Sequence, residues 1–235
     1  MRPLRLTGKL LGAALTTLEN AAGQRADAAL RDVLRRGDLP PEEKKFVHDS
    51  VFAYYRWHGW LDHGKSPSSS LRRAAELAER FEKSPASFSD DELVQRAVPE
   101  WTHRYVKITP ALARQLQREP RLWLRARDGR AAELAGLIGD SEPHPKVPGA
   151  LWYRGADDLF ESFEFKRGEF EIQDLSSQLV GLACQPKPGE TWWDACAGEG
   201  GKTLHLASLM GGKGLVWASD PAEWRLAKLK KRASR

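Results

Sequence analysis

The chemistry in this chain is concentrated in one run, Asp194-Ala195-Cys196-Ala197-Gly198-Glu199-Gly200-Gly201-Lys202-Thr203, and in a later carboxylate, Asp220. The Gly-Lys-Thr ending would fit a phosphate-cradling P-loop only with a glycine at position 196, where this chain has cysteine. The dinucleotide pattern G-x-G-x-x-G fails as well, because its third glycine position is Thr203. What remains is Gly198-x-Gly200 at a strand-to-helix turn, behind an acidic strand end. Glycines there let the backbone approach a ligand closely, and the free N–H groups of the next helix start favour a carboxylate or phosphate. Asp220 closes the following strand, 20 residues beyond Gly200, where a carboxylate can accept hydrogen bonds from both hydroxyls of a ribose. An adenosine-containing ligand with an acidic tail and no pyrophosphate suits this pairing, and S-adenosylmethionine is the expected cofactor.

The other reactive side chains point to less. Two cysteines, Cys184 and Cys196, cannot build a disulfide framework or a four-ligand zinc site. Cys196 reads as a small residue packed in the tight loop and Cys184 as core on an apolar helical face, so neither is expected to be a nucleophile. The histidines are scattered, His58 and His63 alone coming close, across a turn, and no metal is expected. With 37 Lys and Arg against 32 Asp and Glu the chain is mildly basic, but unevenly so. Residues 101–130 hold eight basic and two acidic residues, 131–174 hold four and ten, and the last twelve hold six and none. Clustered arginine suits phosphate, since its planar fork can take two oxygens at once. Arg114, Arg118, Arg121 and Arg125 are the candidate phosphate contacts, though charge alone favours the plainer reading of an arginine-rich, water-facing helix surface. Trp101 and Trp123 border this segment, where stacking on unpaired bases competes with a core role. Trp57, Trp192 and Trp193 are expected in the core.

The elements that must position these groups follow from periodicity. Apolar stripes at helical spacing predict helices over 7–22, 25–36, from Pro41 into 57, over 71–83, at 90–97 and at 110–117, the last with Thr109 as N-cap and Pro110 in the first position. Residues 63–70 read as a turn or linker. After Pro120 the texture changes to short strands at 122–125, 151–153 and 170–172, with helices at 131–138 and 176–184. Thr191 to Asp194 then reads as a strand entering the glycine loop, 202–210 as the helix leaving it, 215–219 as a second strand, and the residues from about 222 as a basic helix. This is a β-α-β unit, the building block of a parallel, doubly wound sheet. Two such strands cannot cover their own edges and faces, which predicts poor packing after about Leu175. No apolar stretch approaches the roughly 20 residues of a membrane span, and Met1 to Leu11 lacks the pattern of a secretory signal. A cytoplasmic setting without membrane partners is expected.

These residues carry a family resemblance. Asp194 to Thr203 is similar to motif I of the RNA (cytosine-5) methyltransferases of the RsmB/NOP2/Sun family, and Val216-Trp-Ala-Ser-Asp220, with Arg225 and Leu229, to motif II. Gly168-Glu-Phe-Glu-Ile-Gln-Asp-Leu-Ser-Ser-Gln178 resembles the family's Gln-Asp-x-Ser-Ser segment, Pro188-Gly189-Glu190 its lead-in to the first strand, and Leu122-Trp-Leu-Arg125 the strand opening its small RNA-binding subdomain. The helices ending in Val51-Phe-Ala-Tyr-Tyr-Arg56 look like a NusB-like RNA-binding domain. The resemblance implies a multidomain α/β chain: a helical NusB-like domain over 1–105, a small α+β subdomain over 106–174, and the start of a class I Rossmann-like sheet over 175–235. It assigns the cofactor to Cys196, Ala197, Gly198, Glu199, Gly200, Gly201 and Lys202, with Asp220 on the ribose. Glu199 stands where the family commonly has proline, and its charge would disfavour the cofactor carboxylate if it pointed inward, with Lys202 able to offset it.

Methylating carbon 5 of a pyrimidine requires a thiolate to add first to carbon 6, and a second group to help remove the proton. The family's two cysteines for these roles stand on later strands, so the resemblance places them beyond Arg235 and implies a chain inactive by itself. The expected partner is ribosomal or transfer RNA. A non-catalytic RNA-binding or assembly protein that keeps the RNA-reading front end is the alternative, and a small-molecule methyltransferase suits the arginine cluster less well.

Overall fold

A helix begins where a side chain can satisfy the first free N–H groups, and three such caps organise the first half of the computed structural model. Ser66, Ser89 and Thr109 each accept a hydrogen bond from the backbone N–H three residues on. The structure describes residues 5–62, 64–155 and 157–235. Its contacts divide the chain into two units, meeting at Glu119 and Pro120.

In the first unit the described helices are α1 (Gly8–Asn20), α2 (Ala26–Arg36), α3 (Pro41–Arg56), α4 (Pro67–Lys83), α5 (Asp90–Arg96) and α6 (Pro110–Gln117). Helix α4 starts four residues before its apolar stripe, because Ser66 caps it and Pro67 takes the first turn without needing an N–H partner. Half of the expected linker, residues 67–70, is therefore helix; His63 lies outside the described residues. One core gathers Leu10, Ala14, Leu30, Val47, Val51 and Leu71 from α1 to α4. A second surrounds Trp57, which is fully buried with Phe81 and Phe88 tilted against it at 5.5 and 5.1 Å. Ile108 and Ala113 belong to this second core. The boundary read at 105/106 falls inside this unit, where α6 packs through Ala113 and Gln117 and leaves Leu112 and Leu116 exposed.

The second unit holds β1 (Leu122–Ala126), α7 (Ala131–Ile138), β2 (Ser141–Pro143), β3 (Ala150–Tyr153), α8 (Phe163–Lys166), β4 (Phe170–Ile172) and α9 (Leu175–Ala183), followed by β5 (Thr191–Asp194), α10 (Gly201–Leu209), β6 (Leu215–Ala218) and α11 (Glu223–Ala233). The first four strands form an antiparallel sheet in the order β2-β3-β1-β4, with Leu124 opposite both Leu151 and Ile172. Strands β5 and β6 pair in parallel, Trp193 beside Trp217 and Asp194 beside Ala218. Helix α10 covers one face of that pair, burying Leu206 and Met210. The other face is bare: Trp193 is 70% exposed and Trp217 63%, with Leu215 beside them. Trp193 is therefore not the core residue expected. Alternation assigns it to one face of β5, and that face is uncovered, while Trp192 on the opposite face is half-buried.

Candidate functional site

Strand β5 delivers Asp194 to its C-terminal end, where the loop to α10 must turn sharply. Gly198 and Gly200 supply left-handed backbone at φ 55° and 92°, and Gly200 forms the N-cap of α10. The loop is tied down from both strands. Asp194 accepts from the Thr203 hydroxyl at 2.7 Å and from the Cys196 N–H at 3.3 Å. Asp220 accepts from the Gly198 N–H at 3.0 Å and the Ala222 N–H at 2.9 Å, and its side chain is 5% exposed. The carboxylate expected on a ribose is thus turned inward, and it holds the shape of the glycine loop.

Beside the loop lies a cavity of about 240 Å³. One wall is the loop and helix start: Asp194, Cys196, Ala197, Gly201 and Lys202. The other is the β4–α9 junction: Ile172, Gln173, Asp174 and Ser177. The Lys202 ammonium donates to the Ser177 hydroxyl at 3.2 Å across the opening. Four of the eight expected cofactor residues, Cys196, Ala197, Gly201 and Lys202, line this cavity, while Gly198, Gly200 and Asp220 shape it from behind. Glu199 faces away, paired with Lys228 of α11 at 2.7 Å, so its charge stays off the cavity. Cys196 is exposed and not packed, and Cys184 caps α9 half-buried, outside the core expected for it.

Gln173, Asp174 and Ser177 were legible only as part of a resembling segment, because their role depends on long-range contacts. Gln173 donates to the Gly201 carbonyl at 3.1 Å and accepts from the Arg125 Nε at 2.7 Å. Gln178 donates to the carbonyls of Leu124 and Gln173. The antiparallel sheet and the start of α10 are therefore joined through side chains.

Arg125 is consequently not a surface contact. It is buried, and burial above all pulls its pKa down to about 10, so it stays charged at neutral pH. Arg114 is also committed internally: it binds the Asp90 carboxylate at 2.6 Å and the carbonyls of Pro85 and Phe88 at 2.9 Å. The arginine cluster read from sequence thus contains two structural members. Arg118 is exposed, and Arg121 lies with its guanidinium 4.1 Å over the Trp152 ring.

His205, on α10, is 5% exposed and packed against Gly181, where a Cβ would come within 2.2 Å of its Nδ1. Burial, helped by Arg125, pulls its pKa down to about 4. The unfolded state, with a pKa near 6.5, then binds the proton more readily, so stability is full above about pH 6.5 and falls as the pH drops toward 4. The expected loss across that window is about 3 kcal/mol. Urea midpoints measured at pH 7.5 and 4.5 for the wild type and His205→Gln check it; parallel pH dependence in the two proteins would refute it.

Known proteins share parts of this chain. Residues 181–235 match the family model described as 16S rRNA methyltransferase RsmB/F. A probable ribosomal RNA small subunit methyltransferase B of Synechocystis is 48% identical over 65 residues, 28% of this chain and 15% of that protein. The Bacillus subtilis protein of the same description is 46% identical over 71 residues, 30% of this chain and 16% of its own length. The chain therefore matches less than a fifth of the length of these two relatives. The solved structure of PH0851 superposes with a TM-score of 0.72 at 20% identity, over 99% of this chain and 68% of that one, a likeness of fold. Among the described residues no helix is long and apolar enough to cross a membrane.

Proposed function

We propose that this chain, similar to the RsmB/F methyltransferase model over residues 181–235, is the RNA-binding and cofactor-binding front part of an S-adenosylmethionine-dependent RNA cytosine-5 methyltransferase. On this reading the helical unit is the NusB-like RNA-binding domain, the antiparallel sheet the small RNA-binding subdomain, and β5-α10-β6 the first part of the cofactor domain. The observation that carries it is the composition of the cavity. Carboxylates of Asp174 and Asp194 stand with the Lys202 ammonium and the N-terminus of α10 around about 240 Å³. That is a donor and acceptor set for a zwitterion: Lys202 and the helix N–H groups hold a carboxylate, and the two aspartates hold an ammonium.

The amino-acid end of the cofactor fits this set. The cofactor supplies an electrophilic methyl group on a sulfonium. The chain's own residues bind and orient it: Lys202 anchors the tail, Gly198 and Gly200 allow close backbone approach, and Asp220 holds the loop in that shape. A ribose would meet only the lone pairs that Asp220 has left after its two backbone bonds. The addition to carbon 6 of the pyrimidine is assigned to no group of this chain, since Cys196 lies in the cofactor wall and Cys184 at a helix end.

Equilibrium dialysis with S-adenosylhomocysteine should therefore show binding that Lys202→Ala weakens roughly ten-fold, the cost of one charge-assisted contact. Labelled methyl transfer from S-adenosylmethionine to RNA by the same chain should be undetectable. Absence of dialysis binding would sink the cofactor site, and methyl transfer would sink the inactivity.

A further inference from the structure

Between the second core of the helical unit and α6, the chain runs along the surface from Pro99 to Lys107. It is pinned at both ends: Ala97 and Val98 pack on the core around Trp57, and Ile108 is buried in it. Between these anchors a short 3-10 turn, Glu100–Arg104, lifts two large rings into solvent. Trp101 is 67% exposed and Tyr105 72%. Their centroids lie 6.4 Å apart with the planes inclined at 64°, edge toward face, so the rings do not stack in parallel and both stay largely in solvent. Neither ring has a core function, unlike Trp57 in the same unit.

The basic side chains around them lack carboxylate partners among the described residues. Arg104 lies 5.8 Å from the Tyr105 ring, and His103 and Lys107 are exposed beside it. Among the described residues none of these three is paired with a carboxylate, and Glu100 is the one acidic residue of the segment. Arg114, a few residues on, shows the contrast, being fully used by Asp90 and two carbonyls.

We propose that Trp101, Tyr105, Arg104 and Lys107 form a stacking platform for unpaired bases of single-stranded RNA. Exposed rings take bases of any identity, and neighbouring unpaired cations neutralise the phosphates between them. A protein partner would also use exposed tryptophan, tyrosine and arginine. The cations left without counter-charges, interleaved with the rings, favour a polyanion. The proposal rests on RNA being the substrate and deepens that reading by saying where, and in which strand state, the helical unit grips it.

The test uses the full chain, a fluorescent single-stranded oligoribonucleotide of mixed sequence, and a hairpin duplex of the same composition, followed by anisotropy over a salt series. Trp101→Leu/Tyr105→Leu should weaken single-strand binding roughly ten-fold or more, leave duplex binding within about two-fold, and leave the salt slope unchanged. Trp101→Phe/Tyr105→Phe keeps the π-faces and should stay within about three-fold of the wild type, which separates stacking from loss of folding. Arg104→Glu/Lys107→Glu should reduce the salt slope by roughly one to two. If the wild type binds RNA but the leucine variant binds both RNAs equally well, the platform is overturned and RNA as substrate stands. If the wild type binds neither RNA, both readings fall.

Discussion

Gly200→Ala is expected to weaken S-adenosylhomocysteine binding more than roughly ten-fold and to lower the unfolding free energy by about 2–4 kcal/mol, combining a left-handed alanine with an overpacked contact. Gly200 sits at φ 92°, and a Cβ there would meet Leu229 of α11 with Cγ at 2.6 Å and Cδ1 at 3.0 Å. The loop cannot move away without disturbing the Asp220–Gly198 bond or the first turn of α10. Gly198→Ala is the control: φ is 55°, but nothing lies within 4 Å of its would-be Cβ. That substitution carries only the backbone cost, about 1 kcal/mol. Adding Leu229→Ala to Gly200→Ala should recover the steric part and leave the backbone part. Equal losses at Gly198 and Gly200, measured by urea denaturation and dialysis, would show that contact with α11 does not shape the site.

The second large effect concerns Glu171 on β4. Its side chain is 11% exposed and takes both C-terminal arginines, Arg232 on one oxygen and Arg235 on the other at 2.7 Å. Arg232 also donates to the Glu199 carbonyl at 2.7 Å, so α11, β4 and the glycine loop meet at one point. Arg125, buried nearby, is held in its charged form partly by Glu171. Glu171→Ala leaves these guanidiniums without their counter-charge, which is far costlier than never having had the pair. The expected loss is about 3–5 kcal/mol, with amide exchange in α11 rising before that in the antiparallel sheet. Breaking the exposed Arg130–Glu133 pair, by contrast, should cost no more than about 0.5 kcal/mol. A Glu171→Ala loss as small as that would mean α11 is held by something other than this carboxylate.

How much of this was written legibly in the sequence depends on distance along the chain. Local rules placed the helices and strands well: the Thr109 cap, Pro110 in the first turn, and Gly200 at the turn into α10 are all decisions made within four residues. Strand β2 escaped because Ser-Glu-Pro has neither alternation nor β-branched residues, and it is ordered by pairing with β3. The exposure of Trp193 was not legible either. Alternation says that a strand has two faces and is silent on which one is covered.

The arginines teach the same lesson. Arg114 reaches partners 24 to 29 residues away, and Arg125 meets Gln173 at a separation of 48. Charge density along a sequence cannot distinguish a clamp from a contact surface. The glycine loop was readable because backbone conformation and helix start are local, whereas the inward turn of Asp220 needs the folded position of Gly198.

The bare face of the β5–β6 pair bears on how the 235-residue chain behaves when made by itself. Trp193, Trp217 and Leu215 stand exposed on a two-stranded sheet whose outer strand edges carry no ladder among the described residues. Such a surface is the kind that holdase chaperones grasp and that neighbouring chains on a polysome join edge to edge. For this 235-residue chain made by itself, the exposed face favours association between copies as concentration rises.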